Sequence, residues 1–161
     1  MPESKIARWI FRARVVDRAG ALTSIASAFS NEGVSIDTVV GHGFEERAGV
    51  DGNVVLTFCC TEQEKDKMVR KIKRLSKVFS LEEHPYDSEL LRKSVLIRTQ
   101  RRLKPGDVAG ETAFLISELV LQDSCGWLYF LAGSPNELDP VLERLETAQI
   151  VTDIVYSILG V

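Results

Sequence analysis

The sequence predicts an α+β fold. A four-stranded antiparallel sheet is covered on one face by two helices, and a second, degenerate version of the same unit follows. Three observations predict it. Runs with a two-residue apolar period alternate with runs spaced by three and four, in the order β-α-β-β-α-β, over residues 6–87. Glycine, proline or a capping residue punctuates most of the junctions. Residues 88–161 then repeat much of that order. A chain of 161 residues, 45% of them hydrophobic, has the length and apolar content for two small cores.

The elements follow in order. Arg8–Val16, RWIFRARVV, is rich in aromatic and β-branched residues that largely alternate, which reads as a strand. Leu22, Ile25, Ala26 and Phe29 form one apolar helix face. That helix should end near Glu32, with Gly33 as a left-handed cap. Val34 to about Gly41 is a second strand, FEERAGVDG a hairpin loop and NVVLTFCC a third strand. Thr61-Glu62-Gln63-Glu64 is a capping box. It opens a helix with Met68, Val69, Ile72 and Leu75 on its apolar side and a basic outer side from Lys65 to Lys77. KVFSLEEHPY is a fourth strand, and Pro85 ends it or marks it as an edge. This is the ferredoxin-like arrangement, with both helices on one sheet face.

A boundary near Ser88 separates the second half. SVLIRTQ is a strand and RRLKPGDVAG a charged loop. Residues 112–122, TAFLISELVLQ, fit a strand or a helix period; the strand reading is preferred and leaves the first helix short or absent. GWLYFLAG is a further strand. A helix should start properly at Asp139 as N-cap with Pro140 at the first helical position, and QIVTDIVYSIL closes the chain as a strand.

Composition narrows the function. The net charge of −3 speaks against nucleic-acid binding, which favours a concentrated basic face. The third strand offers only Phe58 for base stacking. No run approaches the roughly 20 apolar residues of a membrane span, and the N-terminus has no signal-like core, so a cytoplasmic protein is expected. Cys59, Cys60 and Cys125 suggest buried thiols rather than a disulfide framework. His42 and His84 lack companions at metal-ligand spacing. No nucleophile-base arrangement or phosphate loop stands out, so neither catalysis, a metal nor a cofactor is expected.

One stretch has chemistry of its own. Asp17-Arg18-Ala19-Gly20-Ala21-Leu22 joins the first strand to the first helix. Free N–H groups and the positive end of the helix dipole can receive a carboxylate there. Gly20 permits close approach to the backbone. Asp17 can accept a hydrogen bond from an ammonium group, or it can simply cap the turn. Ile36, Asp37 and Thr38 on the second strand could supply polar and apolar walls. Together these groups describe an amino-acid pocket.

The pattern Asp17-Arg18-x-Gly20-x-Leu22, with Ile25, Phe29, Gly33 and Ile36, resembles the ACT domain, a regulatory amino-acid-binding module. The resemblance spans Arg8 to Tyr86. It implies a homodimer or higher homo-oligomer formed by side-by-side sheet pairing. The amino-acid effector would then lie between the first loop of one copy and the second strand of its neighbour. The whole-chain layout also resembles the family of small regulatory subunits of acetolactate synthase, on SELLRKSVLIRT and the closing QIVTDIVYSILGV. That implies a catalytic enzyme subunit as a possible partner. This chain departs from that family at Asp17, where asparagine is usual. A carboxylate there repels a ligand carboxylate by about 1 kcal/mol or more at close range in a wet site. A second departure is the stretch after Arg101, which is short for a full helix.

Overall fold

The computed structural model describes residues 5–16, 20–42, 51–108 and 116–160. They divide into two compact units, one up to Ser88 and one from Glu89 to Leu159. In the first unit the order is β1 (Ile6–Val16), α1 (Ala21–Asn31), β2 (Ile36–His42), β3 (Asp51–Thr61), α2 (Glu62–Ile72) and β4 (Val78–Pro85). The sheet order is β2-β3-β1-β4, so β1 and β3 are central and Pro85 ends an edge strand.

Alternation decides which way β1 faces. Trp9, Phe11, Ala13 and Val15 point to the helices, and Arg8, Arg12 and Arg14 to the other side. Phe11, Phe29 and Phe58 form an edge-to-face triangle with centroids 6.3, 4.7 and 4.8 Å apart. Ile25 of α1 and Met68 and Ile72 of α2 close the same core.

The end of α1 and the start of α2 fall where their sequence says, but α2 stops at Ile72 with Lys73 as its C-cap, so Leu75 and Lys77, expected on its two sides, lie beyond it in the connection to β4. Gly33, at φ +69°, follows Glu32, and its N–H donates to the Ser30 carbonyl at 3.1 Å. The Val34 N–H reaches the Phe29 carbonyl at 3.1 Å, completing the paired bonds of a Schellman motif. Val34 thereby belongs to the helix stop, and β2 starts two residues later than expected, at Ile36. On α2 the capping box forms: the Glu64 carboxylate accepts from the Thr61 N–H at 2.9 Å, and the Thr61 hydroxyl accepts from the Glu64 N–H at 3.3 Å.

Lys65 does not lie on the basic outer side. It is buried, with Nζ 2.7 Å from a Glu83 oxygen and 4.8 Å from the centroid of the Trp9 ring. Its aliphatic stem covers apolar surface while the head finds an acid and an aromatic face.

The second unit contains β5 (Leu91–Thr99), α3 (Pro105–Val108), β6 (Ile116–Asp123), β7 (Gly126–Gly133), α4 (Pro135–Thr147) and β8 (Val151–Gly160). Its sheet order, β6-β7-β5-β8, repeats that of the first unit. The chain is thus two ACT-like βαββαβ repeats, the second with its first helix reduced to one turn among the described residues. Residues 116–122 are strand, because Ile116–Asp123 pairs antiparallel with β7; 112–115 lie outside the described residues.

One helix start is corrected. The N-cap of α4 is Ser134, not Asp139. The Glu137 carboxylate accepts from the Ser134 N–H and hydroxyl, each at 2.8 Å, and Pro135 takes the first position. Pro140 then sits inside the helix, and Asp139 turns to buried Lys93 at 2.6 Å.

Candidate functional site

Among the nominated loop residues, Asp17, Arg18 and Ala19 lie outside the described residues. Gly20 is the N-cap of α1 at φ +87°, a conformation that favours glycine. Its carbonyl accepts from the Ser24 N–H at 3.0 Å and the Ser24 hydroxyl at 2.8 Å, which fixes the first turn. Glycine brings no capping side chain, and the first turn contains no acid. The positive end of α1 is therefore not neutralised by its own N-cap or first turn. Ala21 is buried and anchors the turn in the core, while Leu22 is exposed.

A residue that the sequence reading missed meets this turn. A Cβ placed on Gly20 would lie 2.8 Å from the Lys77 ammonium. The Val16 N–H donates to the Lys77 carbonyl at 2.9 Å, so the start of β4 is tied to the end of β1. That tie directs the Lys77 side chain across the helix N-terminus. No spacing signal could reveal it, because Gly20 and Lys77 meet only through pairing of the first and last strands of the unit.

The three β2 residues are placed differently. Ile36 is half-buried against the first core. The β2–β3 register slips between Ile36 and Thr38, so Asp37 and Thr38 both sit on the side away from the helices. The Thr38 hydroxyl pairs with that of buried Thr57. An Asp37 oxygen lies 3.7 Å from Arg8 Nε and accepts from the Cys59 thiol at 3.6 Å, and the Arg8 guanidinium stacks 4.9 Å from the Tyr86 centroid. Within one chain these residues do not meet Gly20. Ile36 is opposite Phe58, which is opposite Trp9, whereas the loop leaves from Val16. Seven residues of strand separate the two ends, about 23 Å.

Cys59 and Cys60 face opposite sides of β3. Cys60 is buried, and burial, with Glu64 next in effect, pushes its thiol up to about 11. Cys59 and Cys125 are exposed, contrary to the expectation of buried thiols: Cys59 lies on the side of the sheet away from the helices, and Cys125 in the β6–β7 turn. Among the described residues no group of three His, Cys, Asp or Glu could hold a metal ion. No helix among them is long and apolar enough to cross a membrane.

The class defined by this geometry is a pair of ferredoxin-like βαββαβ units, the first with a glycine-capped helix N-terminus and a lysine across it. A particular solved structure shares this fold over nearly the whole chain. The small subunit of acetolactate synthase from Thermotoga maritima matches with a TM-score of 0.63 at 15% identity, covering 96% of each chain. The regulatory subunit of aspartate kinase from Thermus thermophilus matches at 0.48 and 12%, covering 91% of this chain and 93% of that one. The ACT domain of GTP pyrophosphokinase from Chlorobium tepidum matches at 0.42 and 18%, covering 50% of this chain and all of that one. The first likeness carries the fold. No protein-family model matches the sequence. No curated protein matches it either.

Proposed function

We propose that this chain is a non-catalytic regulatory protein that seats an amino acid or similar small effector where two copies meet. The observation that carries the proposal is the left-handed Gly20 cap with the Lys77 ammonium laid against it. Backbone N–H groups from Ala19 to Leu22 and the Lys77 ammonium receive the effector carboxylate. Asp17 receives its ammonium, and Arg18 and Ala21 complete the loop. The domains span residues 6–87 and 88–161.

A second copy supplies what one chain lacks. If two β2 edges pair antiparallel, the Ile36 end of one strand lies beside the His42 end of the other. That end is the one from which the Val16–Gly20 loop leaves, because His42 is opposite Asn53 and Asn53 opposite Arg14. The partner's Ile36 then gives an apolar wall on the helix side, with Asp37 and Thr38 behind it. An effector bridging two chains binds the assembled state better and shifts the equilibrium toward it, which is how the module regulates in the cytoplasm.

The second reading is a subunit that governs a catalytic partner in amino-acid biosynthesis and needs no ligand of its own. It is favoured by the likeness to the Thermotoga maritima small subunit over 96% of both chains. Thermal shift with each of the twenty amino acids, at millimolar concentration, tests the first reading. Co-purification with a large thiamine-dependent enzyme, with no thermal shift from any amino acid, supports the second instead.

A further inference from the structure

The two sheets present opposite chemistry on the sides that their helices leave uncovered. In the first unit this side of β1 carries Arg8 and Arg12, paired with Asp37 and Glu82 at 3.7 Å each. In the second unit the same side is mainly apolar, although alternation also places Arg92, which donates to the Glu89 and Leu91 carbonyls, and exposed Asp153 on it. Register places Leu96 beside Phe130, and Arg98 beside Leu128. Ile116 of β6 lies beside Ala132. The Ser94 hydroxyl meets that of Ser157 at 2.8 Å, so Ser157 of β8 shares the face, and alternation adds Val155 and Leu159. Leu96, Ile116, Val155 and Leu159 are 42%, 58%, 62% and 50% exposed. The opposite face, with Val95, Ile97, Tyr129 and Leu131, is the one that packs on α4.

We propose that this apolar face of the β6-β7-β5-β8 sheet is a homodimer interface, packing face to face on the same sheet of a second copy of this chain. Three observations select that occupant. First, several polar groups on the face are already paired with one another. Ser94 bonds Ser157, and Arg98 Nη1 lies 2.7 Å from an Asp123 oxygen, so covering them leaves these groups satisfied. Glu118, beside Phe130 on edge strand β6, can reach solvent at the rim. Second, the charged face of the first unit is chemically unlike it, so among the described residues the matching sheet face is the same one on another molecule. A self-complementary surface of this kind is what a two-fold dimer requires. Third, the area suffices. Four strands about 4.8 Å apart and about eight residues long give a face of about 500 Å², so two faces bury about 1,000 Å², where specific interfaces begin.

Sedimentation of the full-length chain without added amino acid tests this independently of the effector reading. Leu96 and Val155 are changed together, both to Glu in one variant and both to Lys in another. Their exposure leaves the two cores untouched, and circular dichroism confirms folding. Each variant alone should self-associate at least tenfold more weakly than the natural chain. An equal mixture of the two should recover association, because opposite charges then face each other. If either charged variant does not fold, Leu96→Ser with Val155→Thr takes its place and should show the same weakening. A monomeric natural chain, variants that associate as it does, or a charge mixture no stronger than its components would overturn the proposal.

Discussion

The Lys77 ammonium occupies the space where a side chain at Gly20 would begin, with Nζ 2.8 Å from the position of a Cβ. Gly20→Ala therefore meets two obstacles: φ of +87° and a displaced lysine. The strain should cost about 1–2 kcal/mol of stability, readable by denaturant titration. Any amino-acid-induced rise in Tm should shrink with it. An alanine variant as stable and as responsive as the natural chain would show that neither the turn nor the contact matters.

Lys77 itself can be tested without changing the backbone. Lys77→Met keeps the long apolar stem and removes the charge, so stability should change by less than about 1 kcal/mol. Amino-acid affinity should fall at least tenfold, and Lys77→Arg should retain most of it. Calorimetric titration separates the variants. Equal affinity in Lys77→Met would move the carboxylate away from this corner.

The aromatic triangle belongs to one unit alone. Phe58 is fully buried between Phe11 and Phe29, and Phe58→Ala should cost about 3–5 kcal/mol. The two tryptophans divide between the cores, Trp9 with the first and Trp127 with the second. With Trp127→Phe as background, fluorescence of Trp9 should melt early. With Trp9→Phe as background, Trp127 should melt near its usual temperature. A common early melt would show that the units unfold together.

The start of α4 gives a comparison of neighbours. Ser134→Ala should cost about 1 kcal/mol through the lost cap. Asp139→Asn removes the carboxylate 2.6 Å from the Lys93 ammonium, a group only 5% exposed. It should cost at least as much, although Asp139 caps nothing. Guanidinium unfolding of both variants measures it.

Acid should loosen the one-turn α3. The Arg101 guanidinium, then the Lys104 N–H, hold the Asp107 carboxyl down from 3.8 to about 2. A folded pKa below the unfolded one stabilises above about pH 4, and the contribution is lost as pH falls through about 2. Carboxyl chemical shifts of Asp107 should titrate near 2 in the native chain and move to the ordinary range in Arg101→Gln. An ordinary value in the native chain would contradict the Arg101 contact.

Legibility followed the range of each interaction. Thr61-Glu62-Gln63-Glu64 could be read directly because a capping box closes within four residues. Ser134-Pro135-Asn136-Glu137 has the same logic, yet the two prolines, each compatible with a first helical position, drew the start to Asp139. Residues 116–122 fitted either period, and pairing with β7 decided between them. The inward turn of Lys65 depends on Trp9 and Glu83, distant in sequence. The loop motif was visible as glycine and spacing, whereas Lys77 reaches it only through the Val16–Lys77 backbone bond. That Ile36 sits at the far end of its own sheet from the loop emerges only from strand register, which is why the proposed seat takes its Ile36 wall from a second chain.

The most direct test of the effector seat is thermal shift of the natural chain and of Lys77→Met against each of the twenty amino acids. At about 100 times the dissociation constant, an effector bound only by the folded state stabilises by about 2.7 kcal/mol. The account predicts that at least one amino acid raises Tm in the natural chain and that Lys77→Met loses most of that rise. No rise with any amino acid at millimolar concentration, or an equal rise in both chains, would contradict it.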